Sequence, residues 1–260
     1  MIRDALELHA EVVGGGPWLV LLHGFSHDLR YWRRQRDSLA ASHRLVLVDL
    51  RGHGASPGPV DVAYGHAEHV ADVVGLLDRL GIPSAHILGT HTGAAVGLLL
   101  ALEHPGRVAS LILEGAVIPG APLAVNDAAL ARERAIARER GIAAARADWF
   151  EQPFFDGIRR GGRSDAMRAI MDEFSGAPWL TGAVPAPVPP VGERLRSLRQ
   201  PVSLVNGADD LPEFLDIARR LERELPNARR YLVPDAGAFP SWERPEAVTP
   251  LILRILADHD

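Results

Sequence analysis

The chain has 260 residues, a formal net charge of −5, 47% hydrophobic residues and no cysteine. That composition provides a substantial core, and the absence of cysteine excludes disulfides, thiolate metal sites and a cysteine nucleophile. No long basic run is present, which argues against nucleic acid or an anionic membrane as a partner. The N-terminal segment has no apolar core of signal-peptide length, and no apolar run is long enough to span a bilayer. We therefore expect a cytoplasmic protein.

The first 118 residues alternate between apolar runs and helical patterns. The stretch "ALELHAEVV" before "GGGP" predicts a short strand and a turn. Buried strands are predicted at residues 18–24 ("WLVLLHG"), 44–54 ("RLVLVDLRGHG"), 84–90 ("SAHILGT") and 108–117 ("VASLILEGAV"). Helices are predicted between them at residues 29–42, 67–81 and 93–105. This alternation predicts a doubly wound, mostly parallel α/β sheet.

The alternation is interrupted between residues 119 and 193. The segment "DAALARERAIARERGIAAARADWF" has a helical pattern, no strand is evident, and the region ends in the proline-rich linker "VPAPVPPVGE". We predict a helical cap, inserted after the sixth strand, between core segments at residues 1–118 and 194–260. The alternation resumes with predicted strands at 201–207 and 228–235, a helix near 212–226 and a last helix from about residue 245.

Five short motifs occur in a fixed order. They are "LLHGF" at residues 21–25, "DLRGHGAS" at 49–56, "GTHTGAA" at 89–95, "NGADDLPEF" at 206–214 and "PDAGAFPSWERPEAV" at 234–248. In this order the chain resembles the α/β-hydrolase fold family, specifically its capped esterase, lactonase and C–C hydrolase branch. The resemblance covers nearly the whole chain. It implies an oxyanion hole made by the backbone N–H groups of Phe25 and Thr92, and a catalytic acid at Asp210.

Two positions depart from the pattern of the family. The nucleophile position of the elbow holds His91 where the family has Ser, Asp or Cys, and the catalytic histidine position holds Ala238. Triad hydrolysis needs a hydroxyl or similar nucleophile and an imidazole that takes its proton. An ordinary serine esterase is therefore not predicted. Alanine is also the usual replacement for a deleted catalytic histidine, so the sequence leaves open whether these positions are engineered.

The two departures suggest a rearranged site. Ala238 leaves a vacant base position, and the long side chain of His91 could reach it and form a dyad with Asp210. The carboxylate would orient the ring and favour its protonated form. We predict cofactor-free and metal-free acid–base chemistry on a small apolar carbonyl compound (an ester, a lactone or a polyketide-like molecule). The enzyme would be a lyase, cyclase, isomerase or direct-water hydrolase.

Several alternatives stay open. The base could be His27, in a hydrolase of another kind, or the protein could bind a ligand without catalysis, with His91 only filling space. Trp242 could occupy the vacant base position instead of His91. We expect His66 and His69 on a solvated helix face, and an exposed side chain at residue 209, beside the predicted acid.

Aromatic residues are concentrated in the predicted cap, although they make up only 6% of the chain. They either line a substrate pocket or pack the cap onto the sheet. The predicted pocket residues are Ser26, His27, Trp149, Phe150, Phe154, Phe155, Trp179, Phe239 and Trp242. Their composition favours an apolar ligand. The sequence does not specify the substrate, the reaction or the oligomeric state.

Overall fold

The fold is known from a computed structural model that describes residues 6–58, 62–180, 188–189 and 191–259. Its centre is a seven-stranded sheet. The strands are β1 (Ala10–Gly14), β2 (Trp18–Leu22), β3 (Arg44–Val48), β4 (Ala85–Thr90), β5 (Val108–Glu114), β6 (Val202–Gly207) and β7 (Ala228–Val233). Their order across the sheet is β1-β3-β2-β4-β5-β6-β7, in which β1 is antiparallel to β3 and all other neighbours are parallel. The doubly wound sheet agrees with the sequence prediction.

Helices cover both faces of the sheet. The core helices are α1 (Arg36–Ala40), α2 (His66–Arg79), α3 (Thr92–Glu103), α9 (Pro212–Glu224), α10 (Pro240–Glu243) and α11 (Pro245–Ala257). The cap helices, which follow β5, are α4 (Ala124–Arg140), α5 (Ile142–Phe150), α6 (Asp156–Arg160), α7 (Ser164–Asp172) and α8 (Ala177–Leu180). Short 3-10 helices lie at Leu29–Arg34, Pro105–Arg107, Pro153–Phe155 and Gly192–Ser197.

Strand alternation divides the core into two apolar clusters. In β2, Leu19 and Leu21 face one cluster, with α11 and the cap aromatics, while Val20 and Leu22 face the other, with α2 and α3. This follows from the period of two in a strand, which sends successive side chains to opposite faces. Both faces are buried, so β2 and β3 consist of Val and Leu apart from their first residues.

One detail of the predicted topology is wrong. Five strands of the described chain precede the cap helices, not six, because the segment before β2 contributes only the strand Ala10–Gly14. Half of the proline-rich linker, residues 184–187 and 190, lies outside the described residues. The boundaries at residues 119 and 193 therefore stay predictions.

The sheet brings the ends of β4, β5 and β6 together. Thr90 pairs with Glu114 at the carboxyl ends of β4 and β5, and Glu114 is in turn level with Val205 of β6. Loops at this edge of a parallel sheet carry the binding sites of open α/β folds. The cap helices lie over the same edge, where Trp149 Nε1 donates a hydrogen bond of 2.8 Å to Ser26 Oγ.

Candidate active site

The turn between β4 and α3 is a strained elbow centred on His91. This residue has φ 47° and ψ −104°, a combination that costs a non-glycine residue free energy. Glycines on each side allow the turn: a Cβ on Gly89 would lie 2.4 Å from the Gly93 carbonyl oxygen, and one on Gly93 2.1 Å from that of Leu22. The His91 N–H donates to the Glu114 carbonyl at 2.9 Å, which ties the elbow to β5.

The half-buried imidazole of His91 lies over Gly115, where a Cβ would come within 2.7 Å of the ring. Phe239 and Phe214 flank it, with ring centroids 4.6 and 5.1 Å away. His91 Nδ1 lies 2.9 Å from Thr90 Oγ1, whereas Nε2 is buried and has no hydrogen-bond partner in the described part of the chain. Burial lowers the pKa of His91 to about 3, so the ring is neutral at physiological pH.

A cavity of ≈ 50 Å³ adjoins this ring. Most of its wall is aromatic and comes from Phe25, Trp149, Phe154, Phe155, Phe214 and Phe239. Its remaining lining residues are His66, His91, Thr92, Val117, Leu123 and Asn126. A mostly apolar pocket with a few polar groups is the usual form of a small-molecule site.

Four of the nine predicted pocket residues line this cavity, namely Trp149, Phe154, Phe155 and Phe239. The others, Ser26, His27, Phe150, Trp179 and Trp242, do not. Their side chains are used in packing, as in Trp242, which stacks on Tyr31 with ring centroids 5.8 Å apart. Phe214 was not predicted to line the pocket, although it lies in the motif that carries Asp210. His66, Val117, Leu123 and Asn126 were not predicted to line it either.

His27 lies away from the cavity wall, in an aromatic cluster. Its ring stacks on Tyr31 at 5.1 Å and meets the edge of Phe239 at 5.2 Å. Neither ring nitrogen has a hydrogen-bond partner among the described residues. Burial, followed by the neighbouring histidines, lowers the pKa of His27. Nothing in this position directs His27 toward a ligand.

The predicted His91–Asp210 dyad is wrong. Asp210 Oδ2 accepts a hydrogen bond of 2.9 Å from Asn206 Nδ2, and Oδ1 accepts one of 2.8 Å from the Leu211 N–H. The carboxylate is therefore satisfied within its own loop, and it makes no hydrogen bond to His91. The prediction of a protonated His91 fails as well, because burial disfavours the charged ring. Burial also raises the pKa of Asp210 to about 6.

Glu114, which the sequence analysis did not single out, is the carboxylate connected to the elbow. Thr90 Oγ1 donates to its Oε1 at 3.1 Å, and the Tyr31 hydroxyl donates to the same oxygen. The Ser241 N–H donates to Oε2 at 3.0 Å. Burial raises the pKa of Glu114 to about 7. A glutamate ending the apolar run "LILE" was the available signal, since such a charge is rarely buried without partners.

The last loop places a phenylalanine, not a vacancy, beside His91. Ala238 is buried, and Phe239 contacts His91 and stacks on Phe155 with centroids 5.1 Å apart. The Glu243 carboxylate holds the loop by accepting from the N–H groups of Gly237 and Phe239, at 2.7 and 3.0 Å. The vacancy predicted at Ala238 therefore does not draw His91 toward the acid loop, and Trp242 packs elsewhere.

The two predicted oxyanion donors lie on the same cavity as His91. Thr92 begins α3, so its N–H has no intrahelical acceptor. No carbonyl in the described ranges accepts a backbone hydrogen bond from Phe25. The oxyanion loop lies close to the elbow, since a Cβ on Gly24 would be 3.6 Å from the Cβ of His91. The arrangement permits an oxyanion hole, and that role stays a prediction.

The prediction of a solvated face for His66 and His69 is wrong. His69 is buried against Tyr64, with centroids 5.7 Å apart, and His66 is half-buried on the cavity wall. Burial lowers the pKa of both rings. The exposed position of Asp209 is confirmed. Within the described ranges, no three His, Asp or Glu side chains are grouped so that they could hold a metal ion, and no helix is long and apolar enough to cross a membrane.

Comparison with known proteins agrees with this geometry. A family model described as the alpha/beta hydrolase fold matches residues 17–135, which include the Phe25 loop and the elbow. The chain has the α/β-hydrolase fold. The enol-lactonase from Burkholderia xenovorans superposes on it with a TM-score of 0.84 at 24% identity, over 96% of both chains, which shows a shared fold.

Curated family members similar to this chain are hydrolases. A 2-hydroxy-6-oxononadienedioate/2-hydroxy-6-oxononatrienedioate hydrolase from Paraburkholderia phymatum is 29% identical over 96% of this chain and 91% of its own length. A putative carbamate hydrolase from Variovorax paradoxus is 40% identical, but over only 43% of each chain. These relatives act on small organic molecules according to their names, and neither similarity assigns a role to His91.

Proposed function

We propose that this protein is an enzyme in which His91 acts as a general base on a small, apolar carbonyl compound, without a cofactor. The observation that carries the proposal is the buried Nε2 atom of His91, which has no partner and belongs to a ring on the cavity wall. A buried polar atom without a hydrogen bond costs free energy, and such groups in clefts are often functional. Nε2 is the nitrogen left for a substrate proton, because Nδ1 is engaged by Thr90.

The chemistry that fits best is proton abstraction next to a carbonyl group. The neutral imidazole can take a proton from carbon, and the C–H electrons then form an enolate, whose negative charge offsets the burial that lowers the pKa of the ring. The N–H groups of Phe25 and Thr92 would stabilise the enolate oxygen. The resulting imidazolium would return the proton to another carbon in an isomerisation, to the leaving group that the enolate expels in an elimination, or to the oxygen of a second carbonyl that the enolate attacks in a cyclisation. The relative from Paraburkholderia phymatum is named for an oxo compound, which supports a carbonyl substrate.

Direct hydrolysis is the second candidate, in which Nε2 removes a proton from water rather than from carbon. The hydrolase names of the relatives favour it. A route through His27 is less consistent with the structure, because that ring lies off the cavity wall. Binding without catalysis is the third outcome, in which the cavity would hold a ligand that His91 does not change.

The test is a panel of small apolar ketones, enol esters and lactones incubated with the protein in D2O. NMR would report deuterium at the α-carbon together with any product. We expect His91→Ala to lower the exchange or turnover rate by about 10²–10⁴-fold, the usual contribution of a general base. His27→Ala is the matched control and should retain activity within a few-fold.

Three outcomes would contradict the proposal. Unchanged rates in His91→Ala would show that His91 is not the base. Labelling by a fluorophosphonate probe would reveal a nucleophile that the geometry does not show. Binding of panel members without exchange or turnover would support the non-catalytic reading. Hydrolysis without α-deuteration, lost in His91→Ala, would select the direct-water route.

A further inference from the structure

We infer that Glu114, acting through the hydroxyl of Thr90, is a positioning residue that determines which nitrogen of His91 carries the proton. The catalytic consequence rests on the proposed function of His91, but the proton position can be observed without any substrate. The inference goes beyond that function because it assigns the control of the base to a carboxylate on another strand.

Three polar groups form a continuous chain beneath the elbow. Glu114 Oε1 lies 3.1 Å from Thr90 Oγ1, and the same hydroxyl lies 2.9 Å from His91 Nδ1. Thr90 and Glu114 are register partners at the ends of β4 and β5, and both are buried. The sheet itself therefore fixes the spacing of this chain, and water does not compete for its atoms.

A hydroxyl group has a single proton to donate. While Glu114 is ionised, that proton is donated to the carboxylate, so Thr90 Oγ1 can only accept from His91. The ring must then carry its proton on Nδ1, and Nε2 keeps the lone pair that a general base needs. Ionised Glu114 thus selects the tautomer that is competent for the proposed chemistry.

Protonation of Glu114 reverses the direction in which the hydrogen bonds between Glu114, Thr90 and His91 are donated. The carboxyl group gains one proton and donates it to Thr90 Oγ1, and the hydroxyl proton turns to His91 Nδ1. The ring proton leaves Nδ1 for solvent, and Nε2 takes one up, so the ring stays neutral. One proton is gained in total, by Glu114. The ring's lone pair is then on Nδ1, where it accepts the Thr90 hydroxyl proton, and the base is disabled.

The groups around Glu114 place this change in the neutral range. The Tyr31 hydroxyl and the Ser241 N–H both donate to the carboxylate, which favours its ionised form, and no cation of the described residues makes an ion pair with it. Glu243 is the next carboxylate near Tyr31. Burial outweighs these donors and raises the pKa of Glu114 to about 7. His91 has a pKa lowered to about 3 and does not itself titrate there.

The test follows the His91 tautomer by ¹⁵N NMR of histidine-labelled protein across pH 5–9, with His91→Phe used to assign the signals. We expect the Nδ1–H form above Glu114's pKa and the Nε2–H form below it, with a midpoint near 7. In Glu114→Gln, the amide oxygen still accepts from Ser241 and the NH₂ donates to Thr90. This variant should show the Nε2–H form throughout the range.

Two variants of Thr90 test the bridge, and one of Asp210 serves as the matched carboxylate control. Thr90→Ser should retain the switch, and Thr90→Val should abolish it. Asp210→Asn should leave the midpoint unchanged. A wild-type titration curve in Glu114→Gln or in Thr90→Val would overturn the inference, as would loss of the switch in Asp210→Asn alone.

A milder variant keeps the test valid if Glu114→Gln does not fold. Tyr31→Phe removes one donor to the ionised carboxylate, so it should raise the midpoint by about one pH unit. An unchanged midpoint would contradict the inference. Because NMR needs no turnover, an inactive protein that shows the switch would refute the proposed function and uphold the inference. An active protein without the switch would do the reverse.

Discussion

Two buried carboxylates lie at the carboxyl ends of the neighbouring strands β5 and β6, yet only one of them is connected to the elbow. Asp210 follows β6, and Glu114 ends β5. Burial raises the pKa of both, to about 6 for Asp210 and about 7 for Glu114. Asp210 is satisfied by Asn206 and the Leu211 N–H, whereas Glu114 accepts from Thr90, the residue next to His91.

The difference shows that the position of Asp210 in the family motif does not by itself determine which imidazole it binds. In the family pattern the imidazole that Asp210 would hold lies on the last loop, and Ala238 removes it. Phe239 packs against His91 instead. With the imidazole on the elbow, the side chain within reach of its Nδ1 is the Thr90 hydroxyl, and that hydroxyl leads to Glu114.

The largest expected effect comes from placing an imidazole beside Asp210 again. His91→Ser combined with Ala238→His would restore the Ser-His-Asp order of the family. We expect fluorophosphonate labelling to rise from none to about one equivalent, and hydrolysis of p-nitrophenyl acetate to rise by about 10³-fold. Each single variant is the control and should stay unlabelled. A double variant that folds and stays inert would show that Asp210 is wrongly placed for a triad.

The pH dependence of stability separates the two carboxylates further. A carboxyl group whose pKa is raised on folding contributes stability at low pH and loses it as the pH rises through the folded value. For Glu114 this window runs from 4.5 to about 7, and for Asp210 from 3.8 to about 6. Relative to Glu114→Gln and Asp210→Asn, the wild type should lose about 3 kcal/mol across each window.

Urea unfolding at closely spaced pH values would measure these differences. Subtracting each variant from the wild type cancels the opposite contribution of the buried histidines, which lose stability as the pH falls below 6.5. A flat difference curve for Glu114→Gln would mean that folding does not raise the pKa of Glu114 from 4.5, so that Glu114 is ionised near pH 7 and cannot switch the tautomer there.

Substrate turnover distinguishes the roles of Glu114 and Asp210 most specifically, although the expected change is the smallest. Glu114→Gln should lower turnover of any substrate found for this protein by about 100-fold at pH 8, because it leaves the proton on Nε2. Asp210→Asn should change the same rate by less than about threefold, since Asp210 does not contact His91. Steady-state rates of the two variants, measured beside circular dichroism spectra, decide the question. Equal losses of rate in the two variants would show that Asp210 belongs to the active site.

The sequence predicted the fold and the edge of the sheet that carries the site, because buried strands and glycine-flanked turns are local patterns. It also located His91 at the nucleophile position of the elbow. It did not predict the partner of His91, since a hydrogen-bond chain through Thr90 depends on the register of β4 against β5. Phe239 illustrates the same limit: motif spacing located Ala238, but side-chain packing placed the neighbouring ring against His91.

Alkylation by an apolar α-bromoketone, with bromoacetone as the smallest probe, tests the role of His91 without a known substrate. The lone pair of a neutral Nε2 would displace bromide from the α-carbon and form a stable C–N bond. We predict one equivalent of label on His91 by peptide mass spectrometry, with a rate that rises through pH 7 as Glu114 ionises. Labelling that omits His91, in folded protein at pH 8, would contradict the claim that His91 presents a base to a carbonyl ligand.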